Sequence, residues 1–278
     1  MVNGSAVKWN VVELPALRVP ESCVVFDRIS KLQQKVYRLS PTVEMLVLQP
    51  ISDNPKLPLI IHPHGGPNSA YVCEYFDYAA LFALSGFAIA SINYTGSVGY
   101  GENSIRALEG RIGDLDLSDT IWCKDELLKA GQYDERNVFL YGGSHGGFVC
   151  SWLSAKYPDM FRAACIINPV IDLPGKLSTL LDLWLCAGML ISSDIPDFAF
   201  GQLGIPYELA YPRPPNSEEI AKQHSHSPSS MVDHVKTPTL VLLGESDLRV
   251  PISQGLNWHS WLKARGVPTE YKIYQMYS

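Results

Sequence analysis

The residues best suited to chemistry stand in one short run, Gly142-Gly143-Ser144-His145-Gly146-Gly147, which contains the pattern Gly-x-Ser-x-Gly. An apolar, strand-like run, Val138 to Tyr141, precedes it, and a helix-like segment, Phe148 to Lys156, follows it. A serine held between strand and helix and flanked by glycines is the arrangement of a nucleophile elbow. The turn is too tight for side chains at the flanking positions, and glycine removes them. The helix that starts after the serine supplies main-chain N–H groups and a positive dipole end where negative charge develops in acyl transfer. The plainer reading is a glycine-rich turn with an incidental serine. The strand before and the helix after argue against it.

Two other stretches fit the same chemistry. His62-Pro63-His64-Gly65-Gly66-Pro67 follows the apolar run Leu57 to Ile61. An elbow serine pairs the N–H of the next residue, here His145, with one from a loop of this kind, and Gly66 is the expected second oxyanion donor. Gly244-Glu245-Ser246-Asp247 follows the apolar run Thr239 to Leu243. At that strand end Asp247 is placed to orient a base histidine and stabilise its cation. Chain order Ser…Asp…His then asks for a histidine after Asp247. Only His259 lies there, inside the helix-like Ser253 to Lys263 and away from strand ends, while His62, His64, His145, His224, His226 and His234 all come earlier. There is no His-Glu-x-x-His and no Cys-x-x-Cys, so neither a metal nor another cofactor is expected.

The elements that must position these groups alternate. Further strand-like runs are Phe87 to Ile92, Ala163 to Ile167 and Thr269 to Tyr274. A helix-like segment from about Asp114 puts Leu117, Ile121 and Leu128 on one face. The alternation predicts an α/β fold, a mainly parallel sheet with helices on both faces. In such sheets the working loops lie beyond the carboxyl ends of the strands, where all three candidate stretches fall. Residues 1–40 show no clear period and read as a remnant of a preceding domain or linker; 41–278 read as the catalytic domain. Pro212 to Ser230 is polar and Pro/Ser-rich and reads as a surface excursion.

Composition narrows the classes. Hydrophobic residues at 46% against 18% charged supply a large core. A net charge of −6 without a basic stripe argues against nucleic acid, and no polybasic run suits an anionic membrane. The start, Met1 to Ser5, lacks signal-peptide character, and the apolar tract Leu180 to Ile191 is interrupted by Asp182 and too short to span a bilayer. Six scattered cysteines read as free thiols of a reducing, cytoplasmic compartment.

Taken in order, His64-Gly65-Gly66-Pro67, Asn93 to Gly101, Gly142 to Gly147, Asn168-Pro169-Val170-Ile171, Ser193 to Asp197 and Asp247-Leu248-Arg249-Val250-Pro251 resemble the α/β-hydrolase domain of the acylaminoacyl-peptidases, within the prolyl-oligopeptidase family. The resemblance covers roughly residue 40 onward. It implies a serine peptidase that releases N-acylated amino acids from short blocked peptides. Ser144 matches the nucleophile, Asp247 the triad acid, and Gly66 and His145 the oxyanion donors. It also implies a β-propeller ahead of this domain, of which residues 1–40 hold at most the final edge. The family's histidine would fall at about the first position past Ser278, followed by a terminal helix. Between Ile171 and Asp194 the chain is longer than the family pattern.

Three functions follow as expectations. The first is a peptidase of this kind, with little activity in the 278-residue chain for want of the triad histidine. The second is a non-catalytic truncated isoform serving as a binding or association module able to form a homo-oligomer. The third is a carboxylesterase of the same fold, since fold does not fix substrate.

Overall fold

Runs of apolar residues with no polar alternation belong in strands covered on both faces. Leu57–Pro63 is such a run, and it forms the middle of the sheet in the computed structural model. The structure describes residues 11–13, 31–53, 56–174, 199–206, 214–247 and 249–275. Among these, nine strands make one sheet: β1 (Val11–Glu13), β2 (Leu32–Arg38), β3 (Glu44–Pro50), β4 (Leu57–Pro63), β5 (Ala88–Asn93), β6 (Tyr133–Gly143), β7 (Ala163–Ile167), β8 (Thr239–Gly244) and β9 (Thr269–Tyr274). Their order is β1-β2-β3-β5-β4-β6-β7-β8-β9. The first four in that order pair antiparallel and the remainder parallel.

Strand alternation divides the core. Ile60 and Ile89 point to one face, where α1 (Asp77–Leu84) covers them with Ala79 and a layer of Phe76, Phe82, Phe87 and Phe139. Leu59, Ile61, Ala90 and Ile92 turn the other way. They join the cluster that holds Leu117 and Leu127 of α3 (Leu115–Lys129) and Phe148, Val149 and Leu153 of α4 (His145–Lys156). Between α1 and α3 lies the short α2 (Glu102–Leu108).

The expected strands are present with shifts of at most two residues at their ends, except β6, which begins at Tyr133, five residues before the apolar run at Val138. Two differences are informative. Helix α4 begins at His145, three residues before the sequence suggests, because Gly146 and Gly147 lie inside it. Isolated helices disfavour glycine, but here packing prevails. A side chain at Gly147 would come 2.9 Å from Pro169, and one at Gly146 would collide with the Pro63 carbonyl oxygen. The second lies in the polar Pro212-to-Ser230 stretch, whose described residues are mostly at the surface, as expected, but are not irregular. They form α5 (Ser217–Ser225), started by a capping box in which Asn216 accepts from Glu219 N–H and Glu219 reaches back to the Asn216 N–H. Gln223 and Ser227 there are fully buried, bonding the Ala199 carbonyl and the Leu173 N–H. The last helix, α6 (Ile252–Ala264), packs on β8 and β9. The apolar tract Leu180 to Ile191 and the last three residues lie outside the described residues.

Candidate active site

Ser144 follows β6 and caps α4 with φ 55°, one of two described non-glycine residues at positive φ. L-residues resist that region, and local bonds hold it there. Ser144 N–H donates to the Ile167 carbonyl at 2.9 Å, and Phe148 N–H donates to the Ser144 carbonyl at 3.0 Å. The flanking glycines make the turn possible: a Cβ on Gly142 would meet the Gly146 carbonyl at 2.6 Å.

The glycine loop after β4 lies directly against the serine. A Cβ on Gly65 would stand 3.5 Å from that of Ser144 and 3.3 Å from the Gly143 carbonyl oxygen. Gly66 follows at φ 119°, exposed, and no acceptor among the described residues takes its N–H. The His145 N–H is in the first turn of α4, where helical geometry supplies no acceptor within the helix. Two main-chain donors thus flank a serine at the positive end of a helix, an arrangement able to stabilise a tetrahedral oxyanion.

Sheet register brings the carboxylate to the same edge. Gly143 pairs with Ile167, and Ile167 with Leu242, so the ends of β6, β7 and β8 are level. Asp247 lies three residues past the end of β8. One of its oxygens accepts from Arg249 N–H at 2.8 Å and Val250 N–H at 2.9 Å. The other accepts from the Asn168 side-chain amide at 2.6 Å. Asn168 follows β7, sits at φ 40°, and accepts from Gly244 N–H at 2.8 Å. This asparagine belongs to the Asn168-to-Ile171 stretch that carries the family resemblance, but the sequence reading gave it no role; its bond to Asp247 is what the structure adds.

The histidines are engaged elsewhere. His145 is fully buried, with Nε2 2.9 Å from Asp116 Oδ2 and its ring stacked on Phe148. The other Asp116 oxygen accepts from Gly113 and Leu117 N–H. His62 donates from Nδ1 to the Tyr141 carbonyl at 2.8 Å and accepts at Nε2 from Tyr71 at 2.6 Å, and burial pushes its pKa down to about 4. Burial likewise holds His64 down at about 3, so both rings are neutral. His259 lies in α6 beside Thr269 and Tyr271. Among the described residues no histidine hydrogen-bonds to Ser144 or Asp247, and no cluster of three His, Cys, Asp or Glu could hold a metal. Cys73, Cys123, Cys150 and Cys165 are free thiols. No described helix is long and apolar enough to cross a membrane.

A mostly parallel sheet with this strand order, and with its serine on a glycine-flanked turn into a helix, defines an α/β-hydrolase fold. The prolyl oligopeptidase family pattern matches residues 74–186 and 198–277. The acylamino-acid-releasing enzyme of Mus musculus is 35% identical over 244 residues, covering 87% of this chain and 31% of the relative. Its counterpart in Arabidopsis thaliana is 36% identical over 217 residues, 78% and 27% respectively. An acylaminoacyl peptidase of Pyrococcus horikoshii superposes with a TM-score of 0.75 at 24% identity, over 91% of this chain and 38% of that one. The chain belongs to the prolyl oligopeptidase family and spans less than a third of the length of these two curated relatives.

Proposed function

We propose that this chain carries the catalytic machinery of a serine peptidase acting on short N-acylated peptides. Ser144 attacks the scissile carbonyl, the N–H groups of Gly66 and His145 take the developing negative charge, and Asp247 orients the general-base histidine. The observation that most supports this is the meeting of Ser144 at φ 55° with the backbone of Gly65, at the sheet edge where Asn168 anchors Asp247. The substrate class follows the relatives' names, and a cytoplasmic setting agrees with free Cys73, Cys123, Cys150 and Cys165. Because no described histidine reaches Ser144, the 278-residue chain by itself turns over slowly. Loss of a triad member leaves residual catalysis of about a thousand-fold over water.

The test compares hydrolysis of an acetyl-alanyl anilide and a short-chain ester by three proteins. They are this chain, the chain extended by a histidine-bearing loop, and that extended chain with Ser144→Ala. Acyl-peptide turnover confined to the extended chain and abolished by the substitution is the expected result. Brisk turnover by the 278-residue chain contradicts the missing-base argument, and a preference for the ester makes this a carboxylesterase.

A second reading, an association module, draws on β9. This outer strand exposes Tyr271, Ile273 and Tyr274 by nearly half their surface, a patch of the kind that partners cover. A monodisperse monomer in light scattering at high concentration counts against that reading.

A further inference from the structure

A cleft of about 410 Å3 opens between α5, α6 and the 3-10 turns of Pro228–His234, and none of Ser144, Gly66, His145 or Asp247 lines it. That volume falls within the roughly 300–1,000 Å3 of small-molecule sites. Part of the lining is apolar: Ile220 from α5, Val232, and the indole of Trp261 from α6. Asp172, in the loop after β7, and Arg265, directly after α6, add charges of opposite sign.

Both charged groups are held in place. Asp172 N–H donates to Gln254 Oε1 at 2.8 Å, Gln254 Nε2 donates back to the Asp172 carbonyl at 2.9 Å, and Gln254 is buried. Asp172 Oδ1 accepts from the Ser229 hydroxyl at 3.0 Å and has His224 Nδ1 at 4.0 Å. A carboxylate offers about four acceptor positions, so it can take an ammonium beside these neighbours. Arg265 donates from Nη1 to the Trp261 carbonyl at 3.0 Å and from Nε to Asp233 at 2.6 Å. The Asp233 side chain is 77% exposed, so that pair is weak. Arg265 Nη2 donates to nothing among the described residues.

This lining selects a ligand with an ammonium for Asp172, an apolar body for Ile220, Val232 and Trp261, and a carboxylate for Arg265. A short peptide with free ends carries all three. Acylating its amino group removes the positive charge and leaves the Asp172 carboxylate facing a neutral amide.

We propose that this cleft binds short peptides whose α-amino group is free, the ammonium on Asp172 and the carboxylate on Arg265, and rejects peptides blocked at that group. The preference is opposite to the one proposed for Ser144, and the site stands whether or not Ser144 is a nucleophile.

The probes are alanyl-phenylalanine, its N-acetyl form and its C-terminal amide, titrated into the 278-residue protein. Binding is read in the cleft itself, from the NMR resonance of the Trp261 indole N–H, assigned with Trp261→Phe. Wild type and Ser144→Ala are expected to bind the free dipeptide equally. Each blocked form should bind about 10-fold more weakly, the low end for losing a charged hydrogen bond in an open site. Asp172→Asn keeps the shape and an acceptor for Ser229, and should bind free and acetylated peptides alike. Arg265→Met should lose only the difference between acid and amide. Ile220→Arg sets a cation at an exposed position of the lining and should weaken the free dipeptide by about 10-fold or more. Thermal melts show which variants are folded; if Asp172→Asn is not, Ile220→Arg decides. Acetylated peptide bound as tightly as free peptide by wild type, a preference that survives Asp172→Asn, unchanged affinity in Ile220→Arg, or no shift of the Trp261 resonance overturns the inference. None of these results bears on Ser144, whose own test is hydrolysis.

Discussion

Asn168 makes the strongest demand on the geometry, because one side chain joins the end of β7 to the end of β8 and the loop beyond it. Replacing it with alanine removes the amide that donates to Asp247 Oδ2 at 2.6 Å and the carbonyl that accepts from Gly244 N–H at 2.8 Å. A bond to a carboxylate is worth about 1.5 kcal/mol at the low end, the appropriate value beside a half-buried Asp247. Leaving the buried Gly244 N–H without an acceptor costs about 1 kcal/mol more. The backbone at φ 40° suits asparagine better than alanine, adding about 1 kcal/mol. Asn168→Ala is therefore expected to cost about 3–4 kcal/mol in urea unfolding followed by tryptophan fluorescence at pH 7. Asn168→Gly loses the same bonds without the strain and should recover about 1 kcal/mol. An alanine variant within about 0.5 kcal/mol of wild type, the range of an ordinary surface change, would refute the account of this site as a clamp. Equal losses in the alanine and glycine variants would refute the strain contribution alone.

Other outcomes follow from the same coordinates. Gly146→Ala drives a methyl group into the Pro63 carbonyl and is expected to cost about 3 kcal/mol. Gly143→Ala meets nothing closer than 3.6 Å and should cost under about 1 kcal/mol, so paired thermal melts check the contrast. Asp116→Ala takes the acceptor away from the Gly113 and Leu117 N–H groups and from the buried His145 ring; about 3 kcal/mol should be lost in chemical denaturation. His62 and His64 titrate near 4 and 3 when folded, against 6.5 ordinarily, so the unfolded chain binds protons first. Their contribution is complete above pH 6.5 and is lost as pH falls from there toward 4 and 3, at about 1.4 kcal/mol per unit for each ring. Urea midpoints measured between pH 7 and 4.5 should fall accordingly, and a flat profile would mean the folded rings take up protons as readily as unfolded ones.

Much of this architecture was legible in the residues. The strands from Leu57, Ala163 and Thr239 are read from apolar runs because a strand buried on both faces needs no polar alternation. The start of α4 was misplaced, since propensity counts against Gly146 and Gly147 while the close approach of Pro63 and Pro169 requires them. Helix α5 was read only as part of a surface excursion because its residues are polar. The Asn216–Glu219 capping box was the local signal, and burial of Gln223 depends on chain segments far away in sequence.

What the sequence by itself determined is the set of parts: a serine in a glycine turn, a glycine loop, an acid after a strand, and the α/β alternation that sends all three to one edge. Those follow from local rules, because turn sterics and strand periodicity act over a few neighbouring residues. What only the tertiary structure decided is the relation between the parts. Residue 168 reaches residue 247, residue 116 holds residue 145, and residue 65 lies against residue 144. Such contacts arise from strand order and register, and these are set by the packing of the whole sheet rather than by any one stretch of chain.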